Sequence, residues 1–109
     1  MRVYLATPYT HDDPKVRHKR FLEINKIAAQ LMNQGFIVYS PISASHQISV
    51  DHELPFTFDY WEASCEAFID WCDYLYVYEN DGWKESVGVK AEIAYAQKIG
   101  KEIRFIKKD

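Results

Sequence analysis

Hydrophobic and polar positions fall into segments of changing period along the chain. Arg2-Val3-Tyr4-Leu5-Ala6 is a short apolar run between polar residues, the pattern of a buried strand. Thr7 to Asp13 reads as a loop, and Asp13 before Pro14 suits an N-cap followed by proline in the first helical turn. Ile24, Ile27, Ala28, Leu31 and Met32 recur at helical spacing, and Gly35 ends that helix. Phe36 to Tyr39 predicts a second strand that stops near Pro41. Residues 42–57 have no clear period, are rich in Ser and His, and contain Pro55. They read as a loop, and an unstructured stretch of that length is usually functional or holds a short helix.

The second half is more strongly patterned. Trp61, Cys65, Phe68, Ile69 and Cys72 make a helical stripe. Asp73 to Tyr78 predicts a third strand whose tyrosines alternate with Leu75 and Val77, so that one face carries rings. Glu79 to Glu85 is a polar loop with Gly82 and Trp83. Ser86 suits the cap of a helix striped by Val89, Ile93 and Ala96, Gly100 ends it, and Glu102 to Ile106 is a fourth strand. This order predicts a single α/β domain over residues 1–109. The expected architecture is a flavodoxin- or Rossmann-like three-layer sandwich with a parallel sheet of four or five strands. Ligands of such sheets sit beyond the carboxyl ends of the strands where chain order reverses, which makes Thr7–Asp13 and Glu79–Glu85 the expected pocket walls.

Composition narrows the class. The chain has 109 residues, 48% of them hydrophobic, and a net charge of −3. A chain of that size supports one core, and its apolar fraction argues against disorder. No apolar run of about 18 residues predicts a membrane span, and mild acidity gives no electrostatic case for nucleic acid. The start of the chain shows no signal-peptide core, so a cytoplasmic protein is expected. Cys65 and Cys72 are seven apart; on a helix they would lie about 10 Å apart at about 1.5 Å per residue, too far for a disulfide. They read as buried, reduced thiols. His11, His18, His46 and His52 lack zinc-site spacing, so neither a metal nor another cofactor is expected. Phe56, Phe58, Tyr60 and Trp61 are more rings than one side of a small helix buries, which predicts a homo-oligomer.

Several residues are placed to do chemistry. Glu92 lies at the edge of an apolar stripe near the start of a helix, where a carboxylate can serve as nucleophile or general base. The alternative is a solvated Glu paired with Lys or Arg. Ser86-Val87-Gly88 before it allows close approach of a ligand to free backbone N–H groups. Tyr4 is either a core tyrosine or a hydroxyl aimed at Glu92 or a sugar. Thr7-Pro8-Tyr9, at a strand end, can hold a sugar or phosphate, although the common glycine-rich nucleotide motifs are absent. His46 can contact a ligand or be structural. Trp83 can stack on a flat ligand or cap the core; of the rings that crowd the stretch from Phe56 to Trp83, it is the one expected at the ligand.

Tyr4-Leu5-Ala6-Thr7-Pro8-Tyr9 resembles the opening of nucleoside 2-deoxyribosyltransferases and related nucleotide N-glycosidases. Ser86-Val87-Gly88-Val89-Lys90-Ala91-Glu92 resembles their later motif, a small or acidic residue, then Gly, then Glu, continued by Ala96, Gly100 and Lys101. Cys72-Asp73, Gly82-Trp83 and Ser86-x-Gly88 look like a small bacterial and phage branch of that superfamily. The resemblance implies that Glu92 attacks the anomeric carbon and displaces the base, with Tyr4 positioning it. The transition state is oxocarbenium-like, so a nearby carboxylate stabilises it. Cys65 stands where the family usually has an Asp, with Glu66 adjacent and Asp70 one turn on; Ser86 replaces another. The implied partner is a small-molecule nucleoside or nucleotide, met by Thr7, Pro8, Tyr9, His46, Asp70, Trp83, Ser86 and Gly88. Two alternatives stay open: a non-catalytic nucleotide-binding module, and an oligomeric interaction protein.

Overall fold

Residues Val3 to Ala6 of strand β1 (Arg2–Ala6) have side chains buried on both faces, as a central parallel strand requires. The computed structural model describes residues 1–109. After β1 come α1 (Pro14–Asn33), β2 (Ile37–Tyr39), α2 (Pro41–His52), α3 (Phe58–Trp71), β3 (Tyr74–Glu79), α4 (Val87–Lys98) and β4 (Glu102–Lys107). The four strands form one parallel sheet in the order β2-β1-β3-β4. The fold is therefore the expected α/β sandwich, with four strands.

Strand alternation divides the core in two. On one face Val3, Leu5, Tyr76 and Tyr78 pack against Ile24, Ala28 and Leu31 of α1 and Ile42 of α2. On the other, Tyr4, Ala6, Leu75 and Val77 pack against Cys65 and Ile69 of α3, Cys72 just beyond it, and Val89 and Ala96 of α4. The tyrosines of β3 thus share one face, as their spacing predicts. Cys65 and Cys72 are both free and buried.

Capping sets the helix starts. Asp13 accepts the backbone N–H of Lys15 at 2.9 Å, with Pro14 in the first turn of α1. Ser86 accepts the N–H of Val89 at 3.2 Å and starts α4.

Residues 42–57 correct the expectation of a loop, because α2 occupies most of that stretch. Ser40 caps it through the N–H of Ser43 at 3.2 Å, Pro41 opens its first turn, and Glu53 closes it in the left-handed conformation at φ 55°. Its buried stripe is Ile42, His46 and Ser49, helical in spacing but mostly polar. A search for apolar periodicity passes over such a helix.

β1 lies between β2 and β3, so the chain leaves it in one direction to reach β2 and returns past it to β3. The order reverses between β1 and β3, and a crevice opens beyond their carboxyl ends.

Candidate functional site

A pocket of about 530 Å³, including its open mouth, occupies that crevice. Thr7, Tyr9 and Thr10 enter it from the loop after β1, and Pro41, Ile42, Ser45 and Ser49 from α2. Phe56, Thr57, Phe58, Trp61 and Cys65 form the wall from the start of α3, and Ser86, Gly88 and Glu92 come from the first turns of α4.

Glu92 is the one acidic side chain lining the pocket, and it is 5% exposed. The solvated, ion-paired alternative does not hold. Its partner is the hydroxyl of Tyr4, which donates a hydrogen bond to Glu92 Oε2 across the α3–α4 side of the sheet. Burial pushes the Glu92 carboxyl up to about 8, and the Tyr4 hydrogen bond opposes that rise. Burial also raises the Tyr4 phenol, with the Glu92 charge next. Cys65, against the same pair, is pushed up to about 12, first by burial and then by Glu92. The thiol stays protonated at neutral pH and is no nucleophile there.

The walls are aromatic and hydroxylated. Arg17 of α1 lies 4.0 Å above the Phe56 ring, and the indole N–H of Trp61 donates to the carbonyl of Pro55 at 2.8 Å. Thr10 Oγ1 donates to the Phe56 carbonyl at 2.9 Å and ties the first loop to the third wall. Gly88 carries no side chain where α4 passes the Phe58 ring; a Cβ there would stand 3.2 Å from Cδ1 of that ring. Phe56, Phe58 and Trp61, three of the rings from which an oligomer was expected, are thus used inside this chain, while Tyr60 is 53% exposed.

Of the residues singled out in the sequence, Thr7, Tyr9, Ser86, Gly88 and Glu92 line this pocket, and Tyr4 touches Glu92. His46 lies behind Tyr9, buried, and shares a 2.6 Å hydrogen bond with its hydroxyl. Pro8 is buried in the same loop and borders the neighbouring cleft instead. Two expectations are corrected. Trp83 is turned away from the pocket: its backbone N–H donates to the Asn80 carbonyl at 3.1 Å, Gly82 takes φ 84°, and the turn lays the indole against Phe105 of β4 at 5.6 Å. Trp83 caps the core. Asp70 is exposed on α3, accepts the Tyr95 hydroxyl at 2.8 Å, and lies outside the pocket. Lys101 binds the carbonyls of Asp70 and Cys72 at 3.0 and 2.6 Å, closing the end of α3 rather than meeting a ligand.

Sequence reasoning missed the contributions of Pro41, Ile42, Ser45 and Ser49, all on α2. The signal was present in Ser40-Pro41, a cap residue before a first-turn proline. The structure contains no cluster of three or more side chains suited to a metal ion, and no helix long and apolar enough to cross a membrane.

Residues 1–108 match the family described as Domain of unknown function (DUF1937). The chain belongs to that family. A comparison with curated proteins finds no match. Membership in the DUF1937 family extends over essentially the whole fold, including every residue of the pocket, and carries no activity with it.

Proposed function

We propose that this DUF1937 protein binds a nucleoside or nucleotide and cleaves its N-glycosidic bond, or transfers the deoxyribosyl group, through Glu92. The observation that carries this reading is the Tyr4–Glu92 pair lining a crevice walled by rings on one side and hydroxyls on others. Phe56, Phe58 and Trp61 suit the flat face of a base, and Thr7, Ser45 and Ser86 suit the hydroxyls of a sugar. The carboxylate attacks C1′ as the C1′–N bond breaks, and water or a second base resolves the ester. Tyr4 holds one carboxylate oxygen and leaves the other to react. The attacking form is the anion, so the ascending limb of the pH–rate profile falls near 8.

The test is incubation with 2′-deoxynucleosides and their monophosphates, with free base quantified by chromatography. Wild type is expected to release base, and Glu92→Gln to lose about a thousandfold in rate. Equal release by both proteins would remove Glu92 from the chemistry.

A second reading, a non-catalytic nucleotide-binding module, is favoured by the burial of Glu92, which pushes its carboxyl up to about 8 and so favours the neutral form at pH 7. Calorimetry separates the two, since saturable heat without product over hours supports the module. A cytoplasmic homo-oligomer belongs to the same proposal, with exposed Tyr60 and Phe68 available for its contact. Light scattering at micromolar concentration reads it, and a monomer mass removes it.

A further inference from the structure

The chemistry assigned to Glu92 leaves one buried polar cluster unused. Tyr9 lines the same pocket as Glu92, and its hydroxyl lies 2.6 Å from Nδ1 of His46. The other ring nitrogen of His46, Nε2, lies 3.3 Å from Nδ1 of His18. His46 is 3% exposed, and its ring is stacked on Phe21 with centroids 4.3 Å apart. Each of its nitrogens therefore faces one fixed partner. His18 is exposed on α1. The three side chains form a continuous line from the pocket wall, through a buried imidazole, to solvent. An imidazole accepts a proton at one nitrogen while giving one up at the other, so this line can carry a proton without moving a heavy atom.

N-glycosidic cleavage needs such a line. As the C1′–N bond breaks, its electron pair goes to the base, and an anionic base in a dry pocket is costly. A proton delivered at that moment removes the cost. Glu92 is occupied by attack, and Tyr4 and Cys65 lie beside it on the nucleophile's side of the pocket. Tyr9 belongs to the loop after β1 and is backed from the opposite face of the sheet by α1 and α2.

We propose that Tyr9, supplied through His46 from His18, is the general acid that protonates the departing base. The proposal rests on the N-glycosidic reading of the Glu92 site. With His18 protonated, its Nδ1–H donates to His46 Nε2, the Nδ1–H of His46 donates to the Tyr9 oxygen, and the Tyr9 O–H is free for the base. The C1′–N bond breaks, the base nitrogen takes the Tyr9 proton, and Tyr9 takes the proton of His46 Nδ1. His46 Nε2 takes the proton of His18, which is left neutral. A carboxylate oxygen of Glu92 closes the bond to C1′. When water later attacks C1′, the ester bond breaks back to the Glu92 carboxylate; the proton released from water goes to the Tyr9 oxygen, the proton Tyr9 held passes to His46 Nδ1, and the Nε2 proton of His46 returns to His18 Nδ1, which restores the starting state.

The test compares two leaving groups. The base of 2′-deoxyinosine requires a proton to leave. That of N7-methyl-2′-deoxyguanosine is already cationic and leaves neutral. The readout is the ratio of kcat on the N7-methyl substrate to kcat on 2′-deoxyinosine, for wild type, Tyr9→Phe and His18→Gln. The expected result is a rise in that ratio of about a hundredfold in Tyr9→Phe, and a smaller rise in the same direction in His18→Gln. His18→Gln alters an exposed position and keeps the test decisive if Tyr9→Phe folds poorly. A ratio unchanged from wild type in both variants, whether or not the rates fall, makes the line structural and overturns the proposal while leaving Glu92 cleavage standing. Failure of wild type to release base from either substrate overturns both.

Discussion

Two buried polar clusters meet at one pocket from opposite faces of the sheet, and they differ in how they are closed. On the α3–α4 face, Glu92 is sealed among Tyr4, Cys65 and apolar side chains, with one hydrogen-bond partner. On the α1–α2 face, His46 is equally hidden but leads outward to an exposed His18. Burial disfavours the charged form in both places and pushes the two titrations in opposite directions. The carboxyl of Glu92 is raised. The imidazole of His46 is lowered, first by burial and then by the nearby charges of His18 and Arg17. The sealed face holds a charge only at a cost and suits a group that ionises to react. The open face suits a group that passes protons on.

The largest effect that tests this contrast is on the pH dependence of stability. Glu92 titrates in the folded chain near 8 against an ordinary 4.5. The contribution it makes to stability is therefore whole below 4.5, declines as the pH rises, and is gone above about 8. At about 1.36 kcal/mol per pH unit, the decline has an upper value of roughly 5 kcal/mol. His46 has the opposite sign: with a folded value below 6.5, its contribution is present above 6.5 and is lost as the pH falls through that folded value. Urea unfolding from pH 4 to 9 is expected to show wild type losing stability on the alkaline side. In Glu92→Gln that loss is expected to vanish and the acid-side loss to remain. An alkaline limb unchanged in Glu92→Gln would mean that the carboxyl is not sealed.

A smaller effect isolates the single hydrogen bond on the sealed face. Tyr4→Phe removes the donor to Glu92 Oε2 and keeps the ring in the core. An unpartnered buried polar group costs about 1–3 kcal/mol. The lost bond is also the interaction that holds the Glu92 titration down. The alkaline limb is therefore expected to move to higher pH in Tyr4→Phe, read from the same urea series or from the carboxyl carbon shift in NMR. A limb at the wild-type position would show that the bond does not reach the titration.

The contrast between the faces also explains what the sequence disclosed. The sealed face was legible because its parts are written in apolar periodicity. Val89, Ile93 and Ala96 mark α4, Glu92 interrupts that stripe, and Tyr4 sits in an apolar strand. The open face was not, because its inward side chains are polar. His46 and Ser49 break the stripe of α2, and Tyr9, His46 and His18 lie far apart in sequence with no motif to join them. Trp83 is hidden from the sequence for another reason: a place in the loop after Gly82 does not tell the direction of the ring, which the turn at Gly82 fixes. Asp70 stands one turn from Cys65 in sequence, but that place lies on the outer side of α3.

The smallest effect is expected at the solvent end of the open face, and its smallness is what makes it informative. His18 is exposed and meets His46 at 3.3 Å, so replacing it exposes no buried cavity and removes one long contact. An exposed substitution that keeps a contact to its buried partner stays close to the surface range of about 0.5 kcal/mol. His18→Gln can still offer an amide to His46 Nε2, and its urea midpoint at pH 7 is expected within that margin of wild type. At low pH the variant lacks the His18 charge that helps depress the His46 titration, so the acid-side loss of stability is expected to shrink slightly. A fall of several kcal/mol at pH 7 would show that His18 is a structural member of a closed cluster, and the two faces would then differ only in sign.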